Sequence, residues 1–233
     1  MRRLSPALLL LTLMFAASAH ATTMVELSEE ELTYVADLIV EAEVEVVESE
    51  RGSGSVWINS VATLRLTRVL KGEGIEGDRV LVREWGGTIN GETTRVQSSP
   101  AYSPGERVLV FLEADRSPDQ MWRTLGMSQG KFTLVEEQDT GRDVLLPHVE
   151  PSQVAFDEAA VPLPAVRRYS DAVVNAVLEQ TDAGFVPNYT RIPGLPQEKD
   201  DRFRADAEEA GQAVDPRWDV ARAKMVSISQ GGE

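Results

Sequence analysis

The sequence predicts a mainly β protein: a small β-barrel with a short N-terminal helix, followed by one C-terminal helix and a polar tail. Three observations lead there. Leu38, Val40, Ala42, Val44 and Val46 alternate with Glu41, Glu43 and Glu45, the period of two that marks a strand with one buried face. Many short strand-like runs then follow at even spacing, each gap punctuated by Gly, Pro, Asn or Asp. Finally, the composition turns Pro-rich and acidic after Leu146.

The chain opens on Arg2-Arg3, runs through an apolar stretch from Ala7 to Ala17, and reaches Ala19-His20-Ala21. That is the charged, apolar and small-residue pattern of a secretory signal peptide. The apolar run is too short to span a membrane, which needs about 20 residues. The signal is therefore assigned to residues 1–21, and the mature chain is expected to be exported, periplasmic or extracellular. Ala17-Ser18-Ala19 and Ala19-His20-Ala21 both satisfy the small-x-small rule, and both cleavage points stay open. Cutting after Ala21 leaves the longer polar region and starts the mature chain at Thr22.

The net charge is −15, and the leader carries only Arg2 and Arg3, so its removal deepens the charge by two. Such a surface repels phosphate backbones and anionic headgroups, which argues against nucleic acid as a partner. The chain has no Cys and, past the leader, only His148. These counts exclude a thiolate nucleophile, a Cys-based zinc site and a multi-His site within one chain. No cofactor is expected, and the fold must stand on its hydrophobic core.

The barrel is assigned to residues 22–146. Ser28 with Glu31 forms a capping box that starts a helix over about Glu29–Ala36. The alternating strand follows. Arg51-Gly52-Ser53-Gly54 turns into a second long strand, Val56–Leu70, with Ile58, Ala62, Leu64 and Leu66 on one face. Val69 falls on the other parity, so a bulge is expected near Thr67-Arg68. Shorter strands are expected at Arg79–Trp85, around Glu92–Val96, and at Arg107–Glu113, Trp122–Gly126, Lys131–Glu136 and Arg142–Leu145. Residues 147–164 read as a Pro-rich acidic loop. Residues 165–181 read as a helix docked through Val166, Tyr169, Val173, Ala176 and Val177. Residues 182–233 are polar and largely without expected structure, apart from a helical turn or two near Lys199–Ala210.

Three constellations bear on function. Trp85-Gly86-Gly87 ends a strand in an aromatic beside a flexible loop; its first reading is a cap on the barrel end, and its second a candidate contact surface. Gly126-Met127-Ser128-Gln129-Gly130 matches the G-x-S-x-G pattern, with Asp143 and His148 following in order. A nucleophile elbow needs a helix after the turn, and Phe132-Thr133-Leu134-Val135 is not helical, so a serine hydrolase is only the third reading. Glu41, Glu43 and Glu45 read as a solvated outer face rather than paired catalytic carboxylates, and no catalytic residue is assigned.

Ala36-Asp37-Leu38-Ile39-Val40, Val69-Leu70-Lys71-Gly72 and Gly105-Glu106-Arg107-Val108-Leu109-Val110-Phe111 together resemble the netrin-like module of the tissue inhibitors of metalloproteinases. The likeness covers about Thr22 to Val135. The chain is also similar to a set of exported bacterial proteins that share the last of these elements and Gly126–Phe132. The resemblance implies a five-stranded OB-like barrel. It further implies that the first mature residue chelates a protease zinc through its amine and carbonyl while the second enters the specificity pocket. Counting back from Ala36-Asp37 places Thr22 and Thr23 at those positions, with Met24 next. The family carries a disulfide-bonded Cys where this chain has Thr22. The expected function is that of an exported, non-enzymatic module binding a protein partner, in one version a secreted zinc metalloprotease. The alternative is an envelope interaction protein without inhibitory activity.

Overall fold

In a computed structural model the described residues are 24–25, 27–52, 57–115, 119–147, 154–155, 168–189, 192 and 195–212. Residues 1–21, Thr22, Thr23 and His148 lie outside them. The chain enters through β1 (Met24–Val25) and then α1 (Glu29–Val35). At the start of α1 the Glu31 amide donates to Ser28 Oγ at 3.1 Å and the Ser28 amide to Glu31 Oε2 at 2.7 Å, completing the capping box. Ala36 and Asp37 lead straight into β2 (Leu38–Arg51), which pairs antiparallel with β3 (Ile58–Lys71).

The register between these two strands slips three times, passing over Leu70 and Thr67 on β3 and Glu45 on β2. The slip at Thr67 is the bulge expected from the change of apolar parity. The one at Glu45 was not legible, and it turns Val46 outward to 46% exposure. Bulges of this kind increase twist, and long strands need that to bend round a barrel.

β4 (Arg79–Trp85) pairs with β3, and β5 (Gly87–Ile89) with β6 (Glu92–Thr94) forms a separate hairpin where one strand around Glu92–Val96 was expected. β7 (Arg107–Ala114) pairs with β2 on one edge and with β8 (Trp122–Thr124) on the other. β8 closes the ring by a single parallel pair, Val82 opposite Trp122. The closed order is therefore β7-β2-β3-β4-β8, a five-stranded OB-like barrel. A 3-10 turn (Met127–Gly130) then leads into β9 (Lys131–Glu136) and β10 (Asp143–Pro147), which extend the sheet beyond β7. β11 (Val154–Ala155) runs parallel to β1, and β12 (Arg168–Tyr169) covers part of the β10 edge.

The strands bury both faces. One parity (Leu38, Val40, Ala42, Leu64, Val108, Val110) fills the barrel with Tyr102. The other (Ile39, Leu109, Phe111), with Phe132 and Leu145, forms a second core under α1, α2 (Ser170–Ala183) and α3 (Gln197–Glu209). Full burial on both faces explains why Leu38-Ile39-Val40 and Val108 to Leu112 are unbroken apolar runs.

The C-terminal part differs from expectation. The helix starts at Ser170 rather than 165, because Arg168-Tyr169 pair with Val144-Leu145. It buries Val173, Val174 and Val177, and leaves Ala176 exposed. Residues 182–212, expected to be largely without structure, include α3 where only a turn or two was foreseen. Tyr189, Ile192, Phe203 and Ala207 are buried, and Phe203 packs against Tyr34 with ring centroids 4.9 Å apart. Lys199 pairs with Asp37 and the Tyr34 hydroxyl donates to Asp206, so the segment is held on α1 by polar bonds as well as packing.

Candidate functional site

Trp85 ends β4 with 45% of its surface exposed. The Arg123 guanidinium lies 4.9 Å from its ring centroid, a cation–π contact that orients both groups. Gly86 and Gly87 follow, and their role is steric. A Cβ on Gly86, at φ +101°, would meet the Thr94 carbonyl at 3.0 Å. One on Gly87 would meet Ser49 Oγ at 2.7 Å. The pair lets the β5–β6 hairpin fold tightly beside Trp85. Trp57, 60% exposed, stands just ahead of β3.

Below Trp85 lies a pocket of about 520 Å³ lined by Glu50, Arg51, Gly52, Asn59, Arg83, Asp115, Asp119 and Arg123. Its walls come from the β2–β3 turn, the middle of β4 and the β7–β8 connection. Arg83 is only 12% exposed and spans three carboxylates: Glu50 at 2.7 Å, Asp119 at 2.9 Å and Asp115 at 3.4 Å. Arg123 reaches Asp115 at 3.4 Å, and Arg51 reaches Glu92 at 2.7 Å. The pocket is thus a neutral mesh of preformed ion pairs on a strongly acidic chain. OB-fold barrels take ligands on the face of their second and third strands, between the first-to-second and fourth-to-fifth connections. Those positions here are β3, β4, the Glu50–Gly52 turn and the Asp115–Arg123 connection.

A buried polar chain runs beneath this face. Glu84, 4% exposed, accepts from the Thr124 amide at 2.8 Å, and the Thr124 hydroxyl lies 2.6 Å from Tyr102 Oη. Burial pushes the Glu84 carboxyl up to about 7, against the lowering effect of its bonds to Thr124 and of nearby Arg123. Lys131, 1% exposed, donates to Glu106 Oε1 and to the Ala101 carbonyl, both at 2.6 Å, and sits 4.7 Å from the Tyr102 ring centroid. Burial pushes the ammonium down, while Glu106 opposes the shift. Burial likewise disfavours ionised Glu106, yet bonds from Lys131 and Thr133 hold its carboxyl below the ordinary value. This network fixes the loop carrying Tyr102 over the barrel interior.

The remaining candidates are scattered. Ser128 lies in the 3-10 turn, 1% exposed, with no hydrogen bond to its hydroxyl among the described residues. The turn runs into a strand instead of a helix, and Asp143 is held by Arg107 at 2.5 and 2.9 Å. Among the described residues the buried Ser128 hydroxyl has no base within hydrogen-bond reach, and the candidate His148 lies outside them. Glu43 and Glu45 lie on the outer face in pairs with Arg65 and Arg79. Met24 belongs to β1, whose backbone runs beside Val154. The chain between β1 and α1 is tied to the 3-10 turn, where the Leu27 amide donates to Gln129 Oε1 at 2.8 Å. Among the described residues no three His, Asp or Glu side chains could hold a metal ion, and no helix is long and apolar enough to cross a membrane.

Of the sequence candidates among the described residues, Trp85 and its two glycines border the pocket, while Thr22, Thr23 and His148 lie outside the described residues. Arg83 and Arg123 were missed. Both are inconspicuous in sequence, and their partners lie 32 or more residues away for Arg83 and across a turn for Arg123. No protein-family model matches the chain, and no curated protein matches it.

Proposed function

We propose that the protein is an exported, non-catalytic binding module that seats a protein partner on the face formed by Trp85 and the pocket beside it. The observation that carries this reading is the exposed Trp85 ring stacked on Arg123 above walls held rigid by the Arg83 ion pairs. Trp and Arg in such preorganised settings dominate protein interfaces. The acidity of the rest of the chain argues against nucleic acid on the same face. The test is a photo-crosslinking residue at Asn59, which lines the pocket, in the exporting host. A discrete protein adduct is expected from position 59, lost in Trp85→Ala, with none from position 75 as an exposed control. Adducts absent at 59, or unchanged by Trp85→Ala, would overturn the assignment.

A second reading, inhibition of a secreted zinc metalloprotease through Thr22 and Thr23, draws support from the way the entry chain is fastened. The Leu27–Gln129 bond and the Ser28 capping box fix the backbone a few residues after Thr22 without a disulfide. A fixed entry lowers the ordering cost that a loose terminus would carry into a complex. Protein starting at Thr22 should inhibit a zinc endopeptidase of its host, and the same protein acetylated on that amine should not. Equal activity of the two forms, or none in either, counts against the wedge.

A further inference from the structure

The barrel closes at its weakest seam directly under the proposed binding face. β4 and β8 share one ladder pair, Val82 with Trp122. Two residues further along, the side chain of Glu84 takes the place of a ladder partner by accepting the Thr124 amide at 2.8 Å. Strand alternation puts Arg83 and Trp85 on the opposite face of β4 from Glu84, and Arg123 immediately precedes Thr124. The Glu84–Thr124 tie therefore joins the two strands that carry the three side chains of the face.

We infer that Glu84 is a positioning residue for this face and places it under proton control: the carboxylate holds β8 against β4, and its protonation loosens the Arg123–Trp85 pair. The inference rests on the Trp85 face being the binding surface. An ionised acceptor makes the bond to Thr124 roughly twice as strong as a neutral one. The hydroxyl chain adds to the effect. With Glu84 ionised, Thr124 Oγ1 and Tyr102 Oη can both donate toward it. Once Glu84 carries a proton it gains one donor and keeps a weaker acceptor, and where that donor faces Thr124 Oγ1 the order of donors along the chain reverses.

The groups facing Glu84 set the range in which this happens. Burial raises its carboxyl to about 7. The Thr124 bonds and Arg123 on β8 oppose that rise, while Glu113 on β7 adds to it. Tyr102, on the loop over the barrel, stays protonated because burial and Glu84 both push its phenol up. Lys131 on β9 is pushed down by burial, with Glu106 and Glu84 favouring its charged form. Tyr102 therefore does not compete for the proton. Between one unit above that value and one unit below it the ionised fraction of Glu84 falls about tenfold.

The test is a pH titration by amide and indole NMR of the full chain, with the Trp85 indole assigned from Trp85→Phe. The Thr124 amide and Trp85 indole signals should move together with a midpoint near 7 in the native protein and in Glu113→Gln, which removes the other carboxyl raised to that range, and both should be flat when Glu84→Gln is added to Glu113→Gln. Glutamine keeps the size and the acceptor, and the native titration stands without it should the variant not fold. A Thr124 signal that titrates while Trp85 stays still, or titration that survives Glu84→Gln in the Glu113→Gln protein, overturns the inference. The adduct from position 59 should fall with the ionised fraction on acidification and be pH-independent when Glu84→Gln is added to Glu113→Gln. An adduct equally pH-independent in the native protein also overturns the inference. Co-titration with no adduct at any pH leaves the coupling standing and sinks the binding-face reading instead.

Discussion

At the scale of single residues, the buried carboxylates carry the clearest consequences. Glu113 on β7 has Oε2 buried without a hydrogen bond, and burial raises its carboxyl to about 7. Lys199 and Arg123 oppose that rise, and Asp37 and Asp115 add to it. A carboxyl raised on folding binds more protons in the native state, so its stabilising effect is complete below about 4.5 and is lost as the pH passes 7. Glu113→Gln should therefore raise the unfolding free energy by about 2–3 kcal/mol at pH 8 and leave it unchanged at pH 4. Urea denaturation at the two pH values checks this, and equal gains at both would reject it. Gly72 makes the opposite case, since a Cβ there would lie 2.2 Å from the Asp37 carbonyl oxygen at φ +89°. Gly72→Ala should cost about 2 kcal/mol or more, read as a lower urea midpoint with an unchanged slope. The Ser28–Glu31 box was legible because capping is a contact between residues three apart. The Lys131–Glu106 pair was not, because nothing local shows that a lysine heading a strand will be buried.

Elements show the same division between local and distant causes. α1 follows from its cap, and β2 and β3 follow from their alternation until a bulge shifts the phase. Val46 was misplaced because the slip at Glu45 is set by pairing with β3 and leaves no mark in the composition of β2. α3 is the largest departure: Gln197 to Glu209 carries nine acidic or basic residues around a single aromatic, and by composition it resembles a solvated tail. Its stability comes from one contact line, Phe203 between Tyr34 and Tyr189, with Ala207 beside it. Phe203→Ala should cost about 3–5 kcal/mol if α3 belongs to the same cooperative unit as the barrel. It should also speed amide hydrogen exchange in α3 first. Loss of protection in α3 with no change in global stability would instead make the segment an independently opening flap.

For the whole molecule, charge and closure decide what the fold can do. The acidic chain predicts no retention on single-stranded DNA even at low salt, where electrostatic binding is strongest; salt-sensitive retention would contradict the proposed class of partner. By itself the sequence determined the mainly β class, the short capped helix and most strand positions, because each is written in periodicity or in contacts a few residues long. Tertiary structure alone decided that β8 closes the ring, that Arg83 and Arg123 meet carboxylates beside Trp85, and that the C-terminal segment packs on α1. Apart from the Arg123–Asp115 pair across one turn, those features depend on segments brought together from 32 or more positions apart, and on how burial reshapes the charge of the groups caught between them.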